Sequence, residues 1–125
     1  MTEYENVLNC VLSGSTLTVY LDGDIDHHNA RNIRSRIDTK ILIQRPAELI
    51  LDLSRVTFMD SSGLGLILGR YTKAVELGIM FKVANPTPQI RRILDLAGTE
   101  RLIKIEKPEH TEYRKTYSGG GYGKK

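Results

Sequence analysis

Two short clusters in this 125-residue chain carry side chains that could do chemistry. Asp60-Ser-Ser-Gly63 sets two hydroxyls beside a carboxylate. Asp22-Gly-Asp-Ile-Asp-His-His-Asn29 supplies carboxylates and imidazoles at Asp24, Asp26, His27 and His28. A serine can act as a nucleophile, as a helix cap or as an acceptor of a phosphoryl group. A nucleophile needs a positioned base. Only His27 or His28 could serve, and neither has an evident orienting partner. No glycine precedes Ser61 or Ser62 at the G-x-S-x-G spacing, and no G-x-x-x-x-G-K loop is present to cradle phosphates. Adjacent histidines rarely converge on one ion without a third spaced ligand, and His110 is remote, so no metal site is expected. A phosphoacceptor needs no base of its own, because a kinase brings one. That asymmetry favours a switched binding module over an enzyme, and no cofactor is called for.

The serines sit where the hydrophobic period changes. Leu49, Ile50 and Leu51 form an apolar run ending at Asp52, as a strand covered on both faces would. Beyond Asp60, Leu64, Ile67, Leu68, Tyr71 and Val75 recur at three- and four-residue steps, which is one face of a helix. Asp60 or Ser61 can cap that helix, since each offers an oxygen to free backbone N–H groups. On spacing alone Ser61 and Ser62 are ordinary caps. A phosphate at either would still be tolerated, because a helix start carries about half a positive charge and unpaired donors. It would add about −1.5 to −2 charges for a partner to sense.

The first turns of this helix are costly for a purely structural element. Gly63, Gly65 and Gly69 each cost about 1 kcal/mol relative to Ala in a helix interior. Leu66 is expected on the other side of the helix, near Ser62, Gly65, Gly69 and Arg70. Such a stripe has little side-chain bulk, one apolar residue and one Arg, and suits a docking partner. Close packing of the glycines on the protein's own sheet is the alternative. On the docking reading, Leu66→Glu would weaken binding with little loss of thermal stability.

Composition bounds the answer. The length fits one domain with one core. Hydrophobic residues make up 40 % and charged residues 26 %, ordinary for a soluble globular protein. No apolar run approaches the ~20 residues that span a bilayer. Met1-Thr-Glu-Tyr-Glu-Asn6 lacks the pattern of a secretion signal. A lone Cys10 fits a reducing cytosol and packs as a small apolar residue. A cytoplasmic protein without membrane contact is expected. Arg114, Lys115, Lys124 and Lys125 more than account for the net charge of +3, leaving the remainder near −1. The basic character therefore belongs to a tail, and no nucleic-acid-binding motif is present.

Taken in order, Tyr4 to Leu12 and Thr16 to Leu21 read as a hairpin around Ser13-Gly-Ser15. A polar loop over 22–29 follows, with Asp26 as a plausible cap for a helix striped by Ala30, Ile33, Ile37 and Ile41 and ending before Pro46. Arg31, Arg34, Arg36 and Lys40 fall mostly off that stripe, as a solvated face. After the central strand and helix, Gly78 is a stop and Ile79 to Ala84 a strand. Thr87 caps a helix with Pro88 in its first turn and Ile90, Ile93, Leu94 and Ala97 on its apolar face. Leu102, Ile103 and Ile105 make a last strand. The order is β-β-α-β-α-β-α-β, an α/β fold with parallel pairing through right-handed crossovers. The domain is expected over 1–107, with 108–125 a polar, basic, Gly/Tyr-rich tail, flexible from about Thr116.

Phe58-Met-Asp-Ser-Ser-Gly-Leu-Gly-Leu-Ile-Leu-Gly-Arg-Tyr71, with Leu51-Asp-Leu-Ser54 before it, closely resembles the signature of bacterial anti-sigma factor antagonists of the STAS-domain family. Asp26-His-His28 after Gly23, and Ile93-Leu-Asp-Leu-Ala-Gly98, match further segments in order, and the sporulation branch is the nearest in pattern. The resemblance covers the chain to about Lys107. It implies a small mixed sheet with helices packed largely on one side. It implies that the unphosphorylated protein binds an anti-sigma factor that is also a serine kinase, so releasing the sigma factor. Phosphorylation at Ser61 would end binding, and a serine phosphatase would reverse it. Asp26 is expected near Ser61, and Asp26, Asp60, Ser61, Ser62, Gly65, Leu66, Gly69 and Arg70 form the expected partner surface. The basic tail is not part of the family pattern. The rival reading is a STAS scaffold module of a larger stress-signalling assembly with no phosphorylation switch.

Overall fold

The computed structural model describes residues 8–106. Expectations for residues 4–7 and for the tail from 107 lie outside the described residues. The elements run β1 (Leu8–Ser13), β2 (Thr16–Ile25), α1 (Ala30–Gln44), β3 (Glu48–Met59), α2 (Ser61–Leu77), β4 (Met80–Ala84), α3 (Pro88–Leu96) and β5 (Lys104–Glu106), with a 3-10 turn at Thr99–Arg101. This is the order read from the sequence.

The five strands pair in chain order, β1-β2-β3-β4-β5. β1 is antiparallel to β2, and every later pair is parallel. Three consecutive crossovers that step the same way, each right-handed, put α1, α2 and α3 on one face of the sheet. That face is apolar: Leu17, Leu49 and Phe81 lie in one row, and Cys10, Val19, Leu51, Val83 and Ile105 in the next. Ile33, Ile37 and Ile41 of α1, Ile67 of α2 and Ile90 and Leu94 of α3 complete the core. The opposite face carries Thr18, Ile50, Lys82 and Lys104 in one row and Tyr20, Asp52, Ala84 and Glu106 in another. Asp52 is buried there, accepting from the Ser54 amide and hydroxyl and from the Asn85 side chain.

Caps decide several boundaries. Thr87 accepts from the Ile90 amide with Pro88 at the first helical position, as expected. Gly78 closes α2 at φ 73°, a left-handed conformation that glycine adopts without strain. The N-cap of α1 is Asn29, not Asp26, and its side chain makes no capping bond. Asn29 instead accepts from the Asp26 amide and donates to the Asp24 carbonyl, while the Asp26 carboxylate accepts from the His28 amide. The loop is bound to itself before the helix begins. Ala97, expected on the apolar face of α3, is exposed, and Leu102 lies before β5 and is exposed.

Two strands are longer than the hydrophobic pattern suggests. β2 continues through Asp22–Ile25, read above as loop, and β3 continues past Asp52 to Met59. Of β3, only Glu48 to Asp52 pair with β4, so β2 and β3 project beyond it as a two-stranded ribbon. Register shifts at Tyr20/Asp22 and Gly23/Asp24, with Gly23 at φ 88°, mark a bulge that bends the ribbon and lets it carry polar residues. The Thr57 hydroxyl donates to Asp24 across it at 2.7 Å.

Lys82 links three strands on the open face, 2.7 Å from Glu48 and 3.0 Å from Glu106. Bonding to Glu48 and Glu106 raises the Lys82 pKa, and the bond from Lys82 lowers that of Glu48. The folded state thus binds fewer protons at Glu48 than the unfolded chain does. Its contribution is present above the usual carboxylate pKa and is lost as pH falls through the lowered folded value. The Lys82 contribution is complete below the usual lysine pKa and is lost as pH rises through the raised one. Lys82→Met should therefore flatten the acid limb of stability against pH, measured by thermal denaturation from about pH 5 downward.

Candidate functional site

The ribbon delivers the site. Ile25 and Met59 are the last register pair of β2 and β3 and are both buried, so Asp26 and Asp60 leave the ends of neighbouring parallel strands. The Asp60 amide donates to the Ile25 carbonyl at 3.3 Å. The Asp60 carboxylate caps α2, accepting from the Ser62 amide at 2.8 Å and the Gly63 amide at 3.2 Å. Of the two caps the sequence allows, Asp60 is the one used. That leaves Ser61 as the exposed first residue of the helix, its hydroxyl free of capping duty. Ser62 is half-buried one residue further in.

The three glycines of α2 have different reasons. A Cβ at Gly63 would lie 2.5 Å from Met59 Cγ and 2.8 Å from the Ile25 carbonyl oxygen. The first turn of α2 therefore sits directly on the Ile25–Met59 rung, a seat that only glycine permits. A Cβ at Gly65 or Gly69 would meet nothing within 4 Å. Packing on the sheet does not explain these two. They border an open groove of about 370 Å³ between α1 and α2.

The groove gathers Ser62, Gly65, Leu66, Gly69 and Arg70 from α2, His27 from the loop before α1, and Ala30, Arg31 and Arg34 from the start of α1. Sequence reasoning singled out the α2 members and treated the α1 arginines only as a solvated face. Their position opposite Gly65 and Gly69 follows from helix packing, which no local pattern reports. His27 and His28 stack at 4.0 Å, and His28 Nδ1 stands 3.7 Å from Asp26. Among the described residues no group of three or more His, Cys, Asp or Glu converges as metal ligands would. Cys10 faces the core, and burial pushes its thiol pKa up, away from the reactive thiolate.

Two expectations about α2 are corrected. Leu66 is 5 % exposed and belongs to the core, and Arg70 is 7 % exposed and paired with Asp38 of α1. Neither projects freely; each reaches the groove only as part of its floor. Val75, expected on the buried face, is 59 % exposed, and Leu64, Leu68 and Tyr71 are half-buried. The buried arc, Gly63, Leu66, Ile67, Arg70 and Ala74, is rotated about a quarter-turn from the one the apolar period marks. α1 packs on one flank of α2 and so covers residues that would otherwise be exposed.

The chain belongs to the STAS-domain family, whose profile matches residues 8–112. Within that family it is similar to the anti-sigma F factor antagonist of Paenibacillus polymyxa, with 37 % identity over 89 residues, 71 % of this chain and 76 % of the relative. It superposes on the anti-sigma factor antagonist SpoIIAA in its unphosphorylated form with a TM-score of 0.71 at 27 % identity, covering 92 % of this chain and 99 % of the other. The phosphorylated form of the Bacillus cell fate determinant SpoIIAA matches with a TM-score of 0.65 at 27 % identity, covering 87 % and 98 %. No described helix is long and apolar enough to cross a membrane.

Substitutions separate the two kinds of glycine. Gly63→Ala should lower stability by about 1–3 kcal/mol through overpacking. Gly65→Ala and Gly69→Ala should leave it unchanged or raise it by up to about 1 kcal/mol each, since both relieve glycine's helix cost without a clash. Leu66→Glu should cost several kcal/mol, because it puts an unpaired charge in the core. Denaturant titrations of the four variants check all of this.

Proposed function

We propose that this chain is an anti-sigma factor antagonist whose binding is switched by phosphorylation of Ser61. The unphosphorylated form binds an anti-sigma factor with serine kinase activity and so frees the sigma factor. The kinase modifies Ser61, the complex separates, and a serine phosphatase restores the binding form. The protein acts by binding and not as a catalyst.

The observation that carries this reading is the presentation of Ser61. It is an exposed hydroxyl on a rigid helix start, relieved of capping by Asp60, beside a groove whose glycines serve no packing need. The relatives named above support the regulatory role, and the unphosphorylated and phosphorylated SpoIIAA structures support an unmodified and a modified state. Asp26, Asp60, Ser61, Ser62, Gly65 and Gly69 form the proposed partner surface, with Leu66 and Arg70 as its floor. Asp26 and Asp60 make that end acidic, partly offset by the helix dipole. A phosphate there adds charge that the interface would have to desolvate. An unpaired buried charge costs several kcal/mol, and about 4 kcal/mol is a thousandfold in affinity. No refolding is required.

Incubation with the cognate anti-sigma kinase and ATP, read by intact mass and by binding, tests the reading. Ser61→Ala should bind and stay unmodified. Ser61→Asp should lose binding by at least about a hundredfold while melting like the wild type. Stoichiometric phosphorylation of Ser61→Ala would move the site to Ser62. Binding unaffected by modification would favour a STAS scaffold without a switch.

A further inference from the structure

The α1–α2 groove is lined by Arg31, Arg34 and Arg70, with His27 at one end, and by no carboxylate. Arg31 and Arg34 are exposed and make no hydrogen bond or ion pair among the described residues. Arg70 is different. It is more than nine-tenths buried, its Nη1 engages Asp38, and its Nε is a buried donor with no acceptor. Arg70 therefore adds buried positive charge to the groove floor, and the accessible cationic donors of the groove are those of Arg31 and Arg34. Opposite them, Gly65 and Gly69 leave open space one helical turn apart.

We propose that this groove receives an acidic segment of the protein partner, with an Asp or Glu carboxylate held between Arg31 and Arg34. The inference rests on the function proposed above and specifies the partner's chemistry. Shape favours a polypeptide over a small anion. The α2 wall from Ser62 to Arg70 is about 12 Å long at the helical rise, the span of three or four extended residues. Its middle is glycine and leucine, which suit a backbone, while the exposed cations Arg31 and Arg34 stand on the opposite wall. The arrangement also suits the switch. Ser61 adjoins the Ser62 end of the groove, so a phosphate there would repel the incoming carboxylate and compete for the same arginines.

The test is calorimetric titration of the full-length unphosphorylated chain with its cognate anti-sigma factor. Arg31→Gln/Arg34→Gln should weaken binding by about tenfold or more, and Arg31→Glu/Arg34→Glu by more still. Both should reduce the dependence of affinity on salt, with melting temperatures unchanged because both residues are exposed. Wild-type affinity in the charge-reversed variant would overturn the inference and leave the proposed function standing. Absence of binding by the wild type would overturn the function and the inference with it. Micromolar binding of inorganic phosphate to the wild type, lost in the same variant, would overturn it in favour of a small-anion site.

Discussion

The seating of α2 on the end of the β2–β3 ribbon is the constraint on which the rest depends. The Ile25 carbonyl takes the Asp60 amide and also limits what can stand at position 63. With glycine there, the first turn of the helix rests on Ile25 and Met59 without an intervening side chain. The helix start cannot shift without breaking either the Asp60 cap or the buried rung beneath it. A loop holding Ser61 in the same place would have to be ordered on every binding event, at a cost in entropy. Here that cost has already been met by folding.

Under the proposed switch, a helix start fixed in this way would let a small change have a large effect. The surface that flanks Ser61 has two characters, acidic where Asp26 and Asp60 leave the strand ends and basic along the α1 wall. Helix pairing holds the two in fixed relation, and the Arg70–Asp38 ion pair joins α1 to α2 directly beneath the groove. On the proposed switch, a charge added at the helix start would act on a surface held by these contacts.

The rest of the molecule supports this region from a distance. The open face of the sheet is held by polar links, with Lys82 bridging Glu48 and Glu106, and Asp52 tied to Ser54 and Asn85. These lie on the side away from the helices, so the titration of the Lys82–Glu48 pair changes stability without touching the groove.

Much was legible in the chain alone. The element order, the caps at Thr87 and Gly78, the Asp60-Ser-Ser-Gly63 signature and the isoleucine stripe of α1 all rest on local chemistry, meaning rotamer sterics, capping oxygens and hydrophobic period. What tertiary structure decided was burial around α2 and the length of the ribbon. Leu66 and Arg70 are covered because α1 crosses that flank, and Gly63 is buried although glycine contributes nothing to an apolar period. The ribbon runs on through polar residues because a bulge and cross-strand bonds satisfy its backbone. The basic wall opposite Gly65 and Gly69 exists only once two helices distant in sequence are packed together. A local pattern reports how one element faces its surroundings, and it is silent on which neighbour those surroundings will be.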